Sequence, residues 1–231
     1  MAEQQQVGTA PVAPRRPAIA ALSAAAWMAI LLGLAVQLLV LLAKVAAGGA
    51  ATATQYFVDI ASGMTWSVLV CSGVALGTVV ARHRSAIMGV LGLLSAPVAW
   101  AAAKGAQRGM QWMLNAPLET IGPLVYQVGA AKTLEYALLG LVLGRMIYTP
   151  RSTLRSHALI GLGFGVVFGA LILWLNHLGA VATGSALTMP RIAAICTNEL
   201  IFPMGCAIVI YFVARFADRP SAIERLAAGG G

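Results

Sequence analysis

Six apolar runs dominate this chain, each close to or above the ~20 residues that a helix needs to cross a bilayer. They are Ala18–Ala46, Phe57–Ala81, Ser85–Ala103, Pro123–Tyr148, Leu154–Leu178 and Arg191–Ala217. In lipid, every backbone N–H and C=O must find its partner inside the protein, so such runs fold as helices. The sequence therefore predicts an all-α integral membrane protein of six transmembrane helices with both termini on the cytoplasmic side. Residues 1–17 form a polar, Pro-containing tail expected to be disordered, residues 18–217 the membrane domain, and residues 218–231 a short cytoplasmic C-terminal helix or tail.

Composition agrees. Hydrophobic residues make up 60% of the chain and charged residues 10%, against roughly 25% charged in a soluble domain. Six spans leave no length for a soluble catalytic domain. The net charge of +8 is no nucleic-acid signature, because its placement explains it. Arg15, Arg16, Arg82, Arg84, Arg145, Arg151, Arg155, Arg215, Arg219 and Arg225 fall on alternate loops and the termini, the positive-inside pattern. The other side holds Asp59, Lys104, Arg108, Glu119 and Arg191. The Ala/Arg-rich usage points to a bacterial inner (cytoplasmic) membrane. The apolar run after the Arg pair is too long for a signal peptide and reads as a retained first span. The connection from Gly105 to Pro123 carries Met110, Trp112 and Met113 and is expected to hold an interfacial helix.

Ionisable residues within the spans are the best pointers to function. A charge at membrane depth costs at least ~2.5–3.5 kcal/mol on insertion scales, so it has a partner or a task. Lys132 and Glu135 lie three residues apart, on one helix face. Counted from Pro123, Glu135 is roughly 18 Å into the membrane at ~1.5 Å per residue, near the midplane. Glu199 follows Asn198 in the sixth span, and Pro203 removes the donor for the carbonyl of Glu199 itself. Asp59, Gln127, Glu119, Asn176 and His177 add polarity to the outer half, while the inner half is almost purely apolar. A site built from these residues opens outward. Lys132, Glu135, Glu199, Asn198, Asp59 and Gln127 are its candidate residues.

A faint repeat runs through the chain. TWSVLVCSG from Thr65, TLEYALLG from Thr133 and TNELIFPMG from Thr197 each place Ser67, Glu135 or Glu199 two residues after a Thr, and Gly73, Gly140 or Gly205 further on. A second shared word, RRPAIAAL, RSAIMGVL or RSHALIGL, precedes a helix, with Ser85 and Ser156 placed as N-caps and Pro17 in a first turn. A related word, RPSAIERL, puts Ser221 and Glu224 in a capping box for the C-terminal segment. Three helical hairpins of this kind, set around one axis, would bring Ser67, Glu135 and Glu199 to similar depth.

Other motifs argue against specific chemistries. Cys71, Cys196 and Cys206 lie singly in apolar runs and read as small hydrophobes; no metal site or cofactor is expected. His83 and His157 fall in arginine-containing turns and His177 at a span end, so no mid-span His pair exists for haem. Neither a HExxH word nor a Ser with a His at matching depth supports an intramembrane protease. The run GLGFGVVFG lies inside a span, so Gly161, Gly165 and Gly169 form a small-residue face for close helix approach, available to a membrane-protein partner or a second copy.

Together these features favour transport or binding of a small solute or ion at an outward-facing polar site. Lys132 would then act as a counter-charge or as the resting partner of Glu135, with carboxylate protonation coupled to release. The alternatives are an accessory or scaffold subunit of a larger inner-membrane complex, in which the charges are structural pairs, and an intramembrane enzyme acting on lipid or peptide.

Overall fold

A computed structural model describes residues 16–50, 52–80, 85–118, 122–147 and 149–217. Among these the chain is entirely helical: α1 (Arg16–Ala46), α2 (Ala53–Val80), α3 (Ser85–Met113), α4 (Pro123–Met146), α5 (Leu154–Ala182) and α6 (Met189–Ala217). Five of the six, all but α4, are long and apolar enough to cross a membrane. At 28–31 residues, those five are about 42–47 Å long. α4 has 24 residues, about 36 Å, which also exceeds a ~30 Å hydrocarbon core. What sets it apart is two charges, Lys132 and Glu135, close together near the middle of a shorter helix that also ends on Arg145. The chain is a multi-pass membrane protein.

The helices follow one another around a ring. α1 packs on α2, α2 on α3, α3 on α4 and α5 on α6, and α6 closes back on α1. α4 and α5 share the narrowest seam between ring neighbours. α2 is the most central element, reaching α6 and α4 across the interior. Small residues let the helices approach. α1 buries Ala21, Ala25, Ala29 and Gly33 along one stripe, and the Oγ of Ser67 in α2 donates to the carbonyl of Ala29 at 2.6 Å.

The stripe Gly161–Gly165–Gly169 is used within the chain. A β-carbon on Gly161 would lie 2.6 Å from the Cα of Met204, and one on Gly169 would lie 2.9 Å from the Cβ of Glu199. α6 therefore fills the face that the sequence offered to a partner or a second copy.

Three further expectations change. The predicted interfacial helix is absent as a separate element, because α3 runs unbroken through Pro97 to Met113 and absorbs it. α5 is capped by Thr153, with Ser156 closing a reciprocal capping box from the third helical position, so Ser156 is the box partner and not the cap. His157, expected in an arginine-containing turn, lies in the first turn of α5 and is fully buried, with its ring 5.1 Å from that of Tyr211. The tail through Arg15, the Arg82–Arg84 turn, Glu119, Arg219, Arg225 and the capping box of Ser221 and Glu224 lie outside the described residues.

Candidate functional site

Polar residues from all six helices gather at one end of the ring. α1, α3 and α5 finish there, and α2, α4 and α6 begin there. Between them lies a cavity of about 270 Å³. Gln37 lines it from α1, Asp59 and Trp66 from α2, Trp100 from α3, Lys132 from α4, Asn176 from α5, and Asn198, Glu199 and Phe202 from α6.

At its mouth, Lys44 Nζ pairs with Asp59 Oδ2 at 2.6 Å, both side chains being about a quarter exposed. Gln55 donates to the other Asp59 oxygen at 2.9 Å. Arg191 donates to Asn176 Oδ1 at 3.1 Å, while the amide nitrogen of Asn176 returns to its own helix at the carbonyl of Ile172.

At its base sits a buried ion cluster. Lys132 Nζ donates to Glu135 Oε2 at 2.9 Å and also to Glu199 Oε2 across the bundle. Lys132 is 3% exposed, Glu135 0% and Glu199 5%. The three-residue offset puts Lys132 and Glu135 on one face of α4, and from it the long Lys132 side chain reaches Glu199 on α6. Asn198 Nδ2 donates to Glu199 Oε1 at 3.1 Å, so both oxygens of Glu199 are engaged. Glu135 differs: its Oε1 is buried and has no partner, as does the hydroxyl of the adjacent Tyr136.

An aromatic floor closes the cavity inward. The ring of Trp66 lies 5.5 Å from Tyr136, 6.0 Å from Trp100 and 6.4 Å from Phe202, and Tyr136 lies 6.1 Å from Phe202. The Lys132 ammonium is 5.6 Å from the Tyr136 ring centre, within cation–π range. Beyond this floor the core is mainly apolar, with Val70, Val74, Leu139, Leu143, Ile210 and Val213 all fully buried.

Of the residues singled out from sequence, Lys132, Glu199, Asn198 and Asp59 line the cavity, and Glu135 stands behind them in contact with Lys132. Gln127 does not belong: it is exposed on α4, five residues before Lys132 and on a different face. The carbonyl of Glu199, freed by Pro203, is directed at Gly165 of α5 and not into the cavity. Ser67, the expected third member of the repeat, turns to α1. Gln37, Trp66 and Trp100 went unremarked in the sequence. Trp66 was findable, because it stands in the repeated word between Thr65 and Ser67, at the register position that Asn198 holds between Thr197 and Glu199. Gln37 was also visible, as the single amide in an apolar span.

Comparison with known protein families, curated proteins and solved structures finds no match to this chain, so its own geometry must carry the functional argument.

Proposed function

We propose that this protein binds a small polar solute from the outer face of a bacterial cytoplasmic membrane and passes it inward. One observation carries the reading: a cavity assembled from all six helices, polar at its mouth, ending on a buried ammonium and carboxylate above an aromatic floor. Binding cavities of this kind combine apolar walls with a few fixed polar groups. Six crossings with the mouth outward also put Arg145, Arg151, Arg155 and Arg215 on the cytoplasmic side, as the positive-inside rule requires. Trp66, Trp100 and Phe202 supply flat contact, while Asn198, Asn176, Glu199 and Lys132 orient the solute.

The test is a thermal-shift screen of the purified protein against amino acids, amines, carboxylates and nucleobases. A ligand at a hundredfold its Kd stabilises the folded state by about 2.7 kcal/mol. A hit whose shift disappears in Asn198→Ala and Glu199→Gln supports the proposal; a panel with no hit, or hits indifferent to both changes, removes it.

A second reading draws on the ion cluster alone. Lys132 clamps α4 to α6, as a structural pair in an accessory subunit of a larger complex would. In that case Glu199→Gln releases a co-purifying partner and leaves every solute response unchanged.

A further inference from the structure

The ion cluster is unbalanced. Two carboxylates, Glu135 and Glu199, face one ammonium, Lys132, and all three are buried. A net charge held away from water is strongly disfavoured, and a protein relieves it with a counter-ion or a proton. The hydrogen bonds show where relief is needed. Both oxygens of Glu199 accept, one from Asn198 and one from Lys132. Glu135 Oε2 accepts from Lys132, and Glu135 Oε1 accepts from nothing.

Among the described residues, Lys132 and Glu199 are the charged groups that act on Glu135; Lys44, Lys104 and Arg191 stand toward the mouth, engaged with Asp59, Trp100 and Asn176. α4 itself offers Lys132 and Tyr136, and α6 offers Glu199 and Cys206. From α2, Cys71 lies beside Tyr136 and Cys206. α3 meets this part of α4 with Gly92, against the Tyr136 carbonyl, and α5 meets Glu199 with Gly169. A metal cation is a poor substitute. Lys132 Nζ already occupies the space between the carboxylates, and among the described residues no third acidic, His or Cys ligand joins them.

We propose that the Glu135–Lys132–Glu199 cluster holds one exchangeable proton on Glu135 Oε1, which makes the cluster neutral. The proton enters from bulk solvent through the cavity: Lys132 passes one to Glu135 Oε2, which its ammonium already touches, and takes up a replacement from the cavity side. A half-turn of the carboxyl group then carries the proton to the Oε1 position, and release runs the same steps in reverse. The inference deepens the binding reading above: a cationic group arriving at Glu199 would replace the neutralising proton, so solute and proton would exchange at one place.

Infrared spectroscopy of the full-length protein in nanodiscs of ether-linked lipid, which has no ester carbonyl, tests this at neutral pH through the carboxylic-acid C=O stretch. Exposed carboxylates are ionised there and do not contribute. The wild type should show one such band. Glu135→Gln should abolish it. Glu199→Gln should abolish it as well, because a single carboxylate opposite Lys132 needs no proton. Lys132→Met should double it. A wild type without the band, or a band that survives Glu199→Gln, overturns the proposal. If Glu135→Gln does not fold, Glu199→Gln still decides. No solute is present in this measurement, so its result is separate from that of the thermal-shift screen.

Discussion

The backbone carbonyl of Glu199 in α6, left without its helical donor by Pro203, lies directly against Gly165 of α5. The absent side chain at Gly165 is what lets that carbonyl sit in a helix interface, and the contact fixes the rotation of α6 that sends the Glu199 carboxylate toward Lys132.

Gly165→Ala should therefore destabilise the protein. The new methyl would meet backbone on α6, including the Cα of Leu200 at 3.1 Å, which cannot yield as a side-chain tip can. The expected loss is about 1–3 kcal/mol, the range for overpacking. Gly163→Ala, two residues away, meets nothing within 4 Å, and removing a helix-interior glycine there should gain roughly 0.5–1 kcal/mol. Thermal unfolding of the two variants in one detergent measures the opposite signs.

Breaking the ion cluster and replacing it are expected to differ. Lys132→Met takes the shared donor from two buried carboxyl groups and obliges both to hold a proton at neutral pH, which should cost about 3–5 kcal/mol. Changing Lys132 to Met together with Glu135 and Glu199 to Leu removes every charge and should recover most of that loss. A triple variant that is stable but inert in the thermal-shift screen assigns the cluster to binding. One that remains as unstable as Lys132→Met would mean the ions hold the bundle together in a way that packing cannot replace.

The aromatic floor should act as a seal. Cys71 and Cys206 are fully buried inward of it. With Cys196 changed to Ser, a membrane-impermeant maleimide should leave the wild-type thiols unmodified and should label Asn198→Cys, whose side chain lines the cavity. Trp66→Ala should open a path to Cys71 and cost about 3–5 kcal/mol as a large aromatic truncation. Mass spectrometry of labelled peptides reads the outcome.

At the mouth, Asp59→Asn should change stability by less than about 1 kcal/mol, because its pair with Lys44 is partly exposed and such pairs contribute little. The same change should alter charge selectivity in the solute screen, since it leaves Lys44 uncompensated at the opening.

Much of the fold was legible because lipid imposes a simple rule: long apolar runs become helices. The sequence placed α4 at Pro123, where it begins, and ended α1 at Ala46 and α6 at Ala217. It misjudged α3, because polarity after Ala103 looked like the end of a span, whereas a helix can continue beyond the hydrocarbon into the headgroups. The meeting of Lys132 with Glu199 was legible only as a need for partners: cost says that buried charges pair, but not which helices stand face to face. Gln127 was misplaced for the related reason that depth can be counted along a helix while rotation depends on its neighbours. The direction of the Glu199 carbonyl was likewise hidden, since it depends on a glycine in another helix.

The uneven ring has a mechanical consequence. α4 leans on α3 along a broad face but meets α5 only along a narrow one, while its lysine reaches past that seam to α6. Lys132 thus works as a bolt across the loosest joint of the barrel wall. With the bolt drawn, α3 and α4 would part from the rest most readily along the α4–α5 seam, since α3 keeps its broad contact with α2.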